Sequence, residues 1–116
     1  MAKIVVYQKP TCTTCRVVYK ILVDAGVDFA AIDYYVDPIP KSKLKELLKK
    51  MGISAKELLR TKDHIYGELG LLGRKLSENE ILDLMVKYPD LIQRPIVEKG
   101  AKAILARPAK RIREIL

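Results

Sequence analysis

Two cysteines three residues apart, in Thr11-Cys12-Thr13-Thr14-Cys15, are the residues of this chain best suited to chemistry. A β-branched run comes before them, Lys9-Pro10-Thr11 breaks that run, and a helical pattern opens at Thr13. Cys12 is therefore expected at the beginning of a helix, where unpaired backbone N–H groups and the helix dipole favour an anion. A thiol in that setting has its pKa lowered from ~8.5 toward ~3.5–7.5, which supplies a nucleophile near neutral pH. Arg16, one turn on, is placed to add to the effect. Cys15 lies at disulfide reach and fits two roles. It is either a resolving thiol that attacks a mixed disulfide at Cys12, or a small apolar residue packed under the helix. Zinc fails on ligand count: a structural site takes four ligands, and the chain offers two cysteines and the single His64. His64 itself reads as an exposed helix residue rather than a catalytic base.

The elements that must position these residues follow from pattern. Lys3 to Gln8 is a short β-branched strand. Thr13 to Ala25 is a helix with Val18, Ile21, Leu22 and Ala25 on one face, stopped by Gly26. Asp28 to Tyr35 is a second strand, so the first two strands form a parallel pair with a right-handed crossover. Lys41 to Met51 is amphipathic through Leu44, Leu47, Leu48 and Met51, with Gly52 as its cap. Ser54-Ala55-Lys56-Glu57 and Ser77-Glu78-Asn79-Glu80 are capping boxes. The first opens a short helix through Leu59, and the second a helix lined by Ile81, Leu84, Met85 and Tyr88. A further helix falls within Thr61 to Leu69, and Gly67, Gly70 and Gly73 mark irregular structure nearby. Pro95 to Glu98 and Lys102 to Ala106 form a hairpin across Lys99-Gly100-Ala101. A last helix is expected from Pro108, with Ile112, Ile115 and Leu116 on its apolar face.

The order is β-α-β, a helical block, then β-β-α, within one domain of 116 residues. The block from about Lys41 to Tyr88 is read as an insertion between two halves of one mixed four-stranded sheet. With 49% hydrophobic residues, no Trp and one Phe, aliphatic side chains must fill the core. No signal peptide or membrane span is visible, so the cytoplasm is expected. In a reducing compartment a close cysteine pair points to redox chemistry more than to a structural staple. The net charge is +8. Its lysine clusters, Lys41 to Lys45 and Lys49-Lys50, lie on amphipathic helices and read as solvated surface rather than a nucleic-acid face. A monomer is expected.

Arg60, Arg94 and Arg107 stand apart from those clusters. Arg60 closes Glu57-Leu58-Leu59-Arg60, Arg94 precedes Pro95 where a strand begins, and Arg107 lies between the last strand and Pro108. In a thioredoxin-like sheet Arg94-Pro95 would meet the Cys12 loop, with Pro95 as the cis-proline candidate. Guanidinium groups beside a thiolate suit a tetrahedral oxyanion and offset charge that develops during attack. Taken singly, from spacing alone, each arginine reads as an ordinary surface ion pair.

Five segments together resemble the glutaredoxin-coupled arsenate reductases and their Spx-type relatives, nearly end to end. They are Tyr7 to Arg16, Met51-Gly52-Ile53-Ser54 with Leu58-Leu59-Arg60, Tyr66 to Leu71, Leu91 to Val97, and Leu105-Ala106-Arg107-Pro108. The resemblance implies a thioredoxin-like α/β fold with an inserted helical subdomain. It also implies that Cys12 attacks arsenate and that Arg60, Arg94 and Arg107 bind the oxyanion. Glutathione would then release arsenite, and glutaredoxin would clear the mixed disulfide, with no bound cofactor. Two positions depart from the plasmid-type reductases: Gln8 stands where they carry histidine, and Cys15 where they commonly lack cysteine. The pair is closer to the Spx branch, whose members bind the RNA polymerase α subunit and use it as a redox switch. Three readings follow. The first is an arsenate-reductase-type enzyme, with Cys15 and thioredoxin as an alternative to glutathione. The others are a redox-sensing regulator and a general dithiol oxidoreductase.

Overall fold

Ile4, Val5 and Val6 are β-branched or flat enough to fill a pleated surface, and Ile4–Gln8 forms the first strand, β1, in a computed structural model that describes residues 3–116. Helix α1 runs Thr13–Asp24 with Ala25 as C-cap, and Gly26 takes the left-handed φ of 69° that ends it without steric cost. β2 spans Phe29–Asp33, two residues shorter at its end than the pattern predicts. There the Asp33 carboxylate accepts the Tyr35 N–H at 3.0 Å, and this side-chain bond turns the chain away from the sheet.

Helix α2 (Lys41–Met51) carries buried Leu44, Leu47 and Leu48. Helix α3 (Ala55–Leu58) and helix α5 (Glu78–Lys87) both open on complete capping boxes, Ser54 with Glu57 and Ser77 with Glu80. Between them α4 is only His64–Glu68, capped by Asp63. After a single 3-10 turn at Pro89–Leu91 come β3 (Ile96–Lys99) and β4 (Lys102–Leu105). Their tight link places Gly100 at φ 60°. The expected last helix is instead a 3-10 segment, Ala109–Glu114. Its buried Ile112 and the buried C-cap Ile115 are three apart, the repeat of a 3-10 turn.

The sheet order is β2-β1-β3-β4, mixed in direction as expected. β1 pairs parallel with β2 and antiparallel with β3, and β3 pairs antiparallel with β4. Two compact units emerge: one joins the chain up to Asp37 with Arg94–Leu116, the other is Pro38–Gln93. The first contains the sheet and α1, with Ile4, Val6, Val18, Leu22, Val97, Ala106, Ile112 and Ile115 in one buried cluster. At about 25 cal/mol per Å² of apolar area, each Val, Leu or Ile side chain among them contributes on the order of 1.5–3 kcal/mol. Within the second unit α5 packs against α2 and α3. Glu78 of α5 also accepts the Ala55 N–H at the start of α3, at 2.7 Å. Among the described residues no helix is long and apolar enough to cross a membrane.

Candidate active site

The Cys12 N–H donates to the Lys9 carbonyl at 2.9 Å, closing a tight turn across Pro10. That turn leaves Cys12 as the N-cap of α1, extended at φ −74° and ψ 127°. Its carbonyl accepts from the Arg16 N–H at 3.0 Å, and its Sγ accepts from the Cys15 N–H at 3.5 Å. Sulfur thus occupies the position an N-cap oxygen fills in other helices. Partial burial pushes the Cys12 thiol up. The Cys15 N–H, the Cys15 thiol and the Arg94 guanidinium outweigh it, and the thiol lies below its ordinary value.

Cys15 goes the other way. It is fully buried, and that burial, reinforced by the neighbouring Cys12 sulfur, pushes its thiol up to about 12. Both cysteines are free thiols. At neutral pH the pair therefore holds one activated sulfur and one protonated sulfur.

The cation acting on Cys12 is Arg94 rather than the expected Arg16, which is exposed and lines a cavity of about 350 Å³ with Gln8, Pro10 and Tyr19. Arg94 is 5% exposed. Its burial disfavours the charge, but Tyr34, Tyr35 and the Cys12 sulfur outweigh this and raise its pKa, so the guanidinium stays charged. Nη1 donates to the Tyr35 hydroxyl at 3.4 Å. Nε is buried with no hydrogen-bond partner, a donor left over where a buried one is normally satisfied. The Arg94–Pro95 peptide is cis, and so is Arg107–Pro108.

Arg107 comes to the same place from the other strand of the hairpin. Its Nη1 lies 3.3 Å from both the Arg94 carbonyl and the Thr14 hydroxyl, donating to each. Cys12, Cys15, Arg94, Pro95 and Arg107 all belong to the first unit. Arg60 belongs to the second, just past the C-cap of α3, and its Nη1 pairs with Asp63 at 3.4 Å. His64 is exposed on α4 and paired with Glu68 at 2.7 Å. Gln8 is buried with its Oε1 unpartnered. No local pattern marks Tyr34 and Tyr35 as site residues, since Tyr35 meets Arg94 from 59 residues away in sequence and Tyr34 acts on the same guanidinium.

A partly buried thiol with a lowered pKa capping a helix, a cis-proline loop and a buried arginine with a spare donor, carried by a β2-β1-β3-β4 sheet, define a thiol oxidoreductase of thioredoxin-like fold. The ArsC family model matches residues 7–115. The chain is 37% identical over 112 residues to the uncharacterized protein YfgD of Escherichia coli K12, covering 96% of this chain and 94% of that one. It is 35% identical over 116 residues to the arsenate reductase of the same strain, covering 100% and 82% of the two chains. The solved structure of an arsenate reductase from Vibrio cholerae matches with a TM-score of 0.92 at 30% identity, over 99% of this chain and 98% of that one. This chain belongs to the ArsC family.

Proposed function

We propose that the protein reduces arsenate to arsenite through Cys12. The observation that carries this reading is Arg94, a buried guanidinium that lowers the Cys12 pKa and has an unpartnered Nε. A fixed cation and spare donor beside a nucleophile suit a tetrahedral oxyanion, whose charge grows as the nucleophile attacks. Arg107, already bonded to the Arg94 carbonyl, presents a second guanidinium. Arg60 is proposed as a third ligand on the family resemblance.

In the first step the Cys12 thiolate forms an S–As bond as the As–O bond to an arsenate hydroxyl breaks, and the departing hydroxide takes a proton from solvent to become water. A second thiolate then attacks Cys12 Sγ. The S–As electron pair stays on arsenic, As(V) becomes As(III), and a disulfide at Cys12 holds the two electrons' worth of oxidation. Because Cys15 is buried and its pKa lies at about 12, an external monothiol of the glutathione class is the better second nucleophile. Glutaredoxin then returns Cys12 to the thiol. The close approach of the Cys15 N–H to Cys12 Sγ favours a second route, in which Cys15 resolves the mixed disulfide and thioredoxin reduces the resulting pair.

The test is arsenite release from arsenate with glutathione and glutaredoxin, or with thioredoxin, alongside mass spectrometry of Cys12. Wild type should turn over and Cys12→Ser should not. No arsenate-dependent thiol oxidation with any of these donors would overturn the reading.

A further inference from the structure

We propose that Tyr35 is a positioning residue, which joins the Cys12 loop to Arg94 and so sets where the guanidinium stands relative to the nucleophile. Its two halves touch two different elements. The hydroxyl accepts from Arg94 Nη1 at 3.4 Å, just before cis-Pro95. The ring lies under Lys9 of the Cys12 loop, with Nζ 4.7 Å from the ring centroid, a distance suited to a cation–π contact.

Tyr35 is itself held from two sides. Its N–H is tied to the Asp33 carboxylate at 3.0 Å, and its ring stacks on buried Tyr34 with centroids 5.1 Å apart. The charged and titratable groups around this junction are Lys9, Cys12, Cys15, Asp33, Tyr34, Arg94 and Arg107, the last bonded to the Arg94 carbonyl. Arginine is a long side chain with several rotatable bonds, and fixing it in one geometry costs entropy. A prepositioned acceptor removes part of that cost before any substrate arrives, leaving Arg94 Nε turned to other use. Tyr35 makes no bond to sulfur in this role; it acts through Arg94.

The role concerns the same site as the proposed reduction and rests on Cys12 as its nucleophile, but the experiment needs no arsenate. Iodoacetamide alkylation of Cys12 is followed against pH by mass spectrometry in wild type, Tyr35→Phe, Arg94→Ala and the double variant. Tyr35→Phe keeps the ring over Lys9 and removes only the hydroxyl. It should move the alkylation midpoint upward by about half a pH unit, a roughly threefold loss of thiolate below the midpoint. In the Arg94→Ala background the same substitution should change nothing, because the two act as one unit. A Tyr35→Phe midpoint equal to that of wild type overturns the inference. An equal shift with and without Arg94 also overturns it, since Tyr35 would then act by another route. Failure of arsenate reduction with the alkylation result intact would remove the substrate and leave the positioning role standing.

Discussion

Arg107 Nη1 donates to the backbone carbonyl of Arg94 at 3.3 Å, so one candidate anion ligand braces the main chain that carries the other. The side chain also reaches Thr14 in the first turn of α1. Arg107 thus touches both the helix that Cys12 caps and the segment that holds cis-Pro95.

From this brace, Arg107→Ala should raise the KM for arsenate by on the order of tenfold or more. A charge-assisted hydrogen bond contributes about 1.5–3 kcal/mol, and both the ligand and the brace are lost. Arg107→Lys should recover only part, because an ammonium that takes the place of Nη1 on Thr14 and the Arg94 carbonyl has no second nitrogen left to present to the anion. Steady-state kinetics of the two variants check this, and equal recovery by lysine would count against the double role.

The opposed thiols give a pH signature. Thiolate fraction rises as pH passes the pKa, so a lowered pKa brings the rise to lower pH. Cys12 alkylation should reach half its plateau below the ~8.5 of an ordinary cysteine, and Arg94→Ala should move that point up, because a favourable positive charge is removed. Cys15, buried and at about 12, should stay unlabelled until the protein unfolds. Peptide mapping after alkylation reads both sites at once.

Replacing Cys15 separates the two routes of reduction. Cys15→Ala should keep glutathione-supported turnover within about threefold, since it leaves the backbone N–H that points at Cys12 Sγ and removes one weak S–H donor. Thioredoxin-supported turnover should fall by at least tenfold if the Cys12–Cys15 disulfide is that donor's substrate. Equal loss with both donors would mean that Cys15 serves the site by packing alone.

In the second unit, Glu78→Ala removes the acceptor for the Ala55 N–H and an acidic residue from the first turn of α5. The hydrogen bond contributes about 0.5–1.5 kcal/mol and the acidic residue about 0.3–1 kcal/mol, so urea unfolding should show a loss of roughly 1–2.5 kcal/mol. Cys12 alkylation should be unchanged.

Local signals made much of this architecture readable. The two Ser-x-x-Glu boxes placed α3 and α5, Gly26 and Gly52 ended α1 and α2, and the break at Pro10 put Cys12 at a helix start. Readings went astray where a side chain or a tight repeat overrode the run of residues. Asp33 ends β2 early through its bond to Tyr35, and Ile112 and Ile115 at a spacing of three suit a 3-10 segment as well as a helix. Other contacts between distant positions left no local mark. Tyr35 with Arg94, and the buried bond from the Tyr7 hydroxyl to Glu98 at 3.0 Å, depend on how strands pair, which periodicity within one strand does not report. Arg16 is the nearer cation by sequence, yet Arg94 is the one that acts on the sulfur, from the place that Arg94-Pro95 takes in a thioredoxin-like sheet.

That pairing also gives the molecule a polarity. Tyr7 faces Ile96 near the Cys12 loop, whereas Ile4 faces Lys99 at the other limit of the ladder, about 10 Å away at 3.3–3.4 Å per residue. The Gly100-Ala101 link therefore lies at the opposite end of the sheet from the reactive sulfur, and Ala101 is exposed. A dye, bead or surface tether attached through a residue substituted at Ala101 would lie at the far end of the sheet from Cys12, which suits oriented immobilisation.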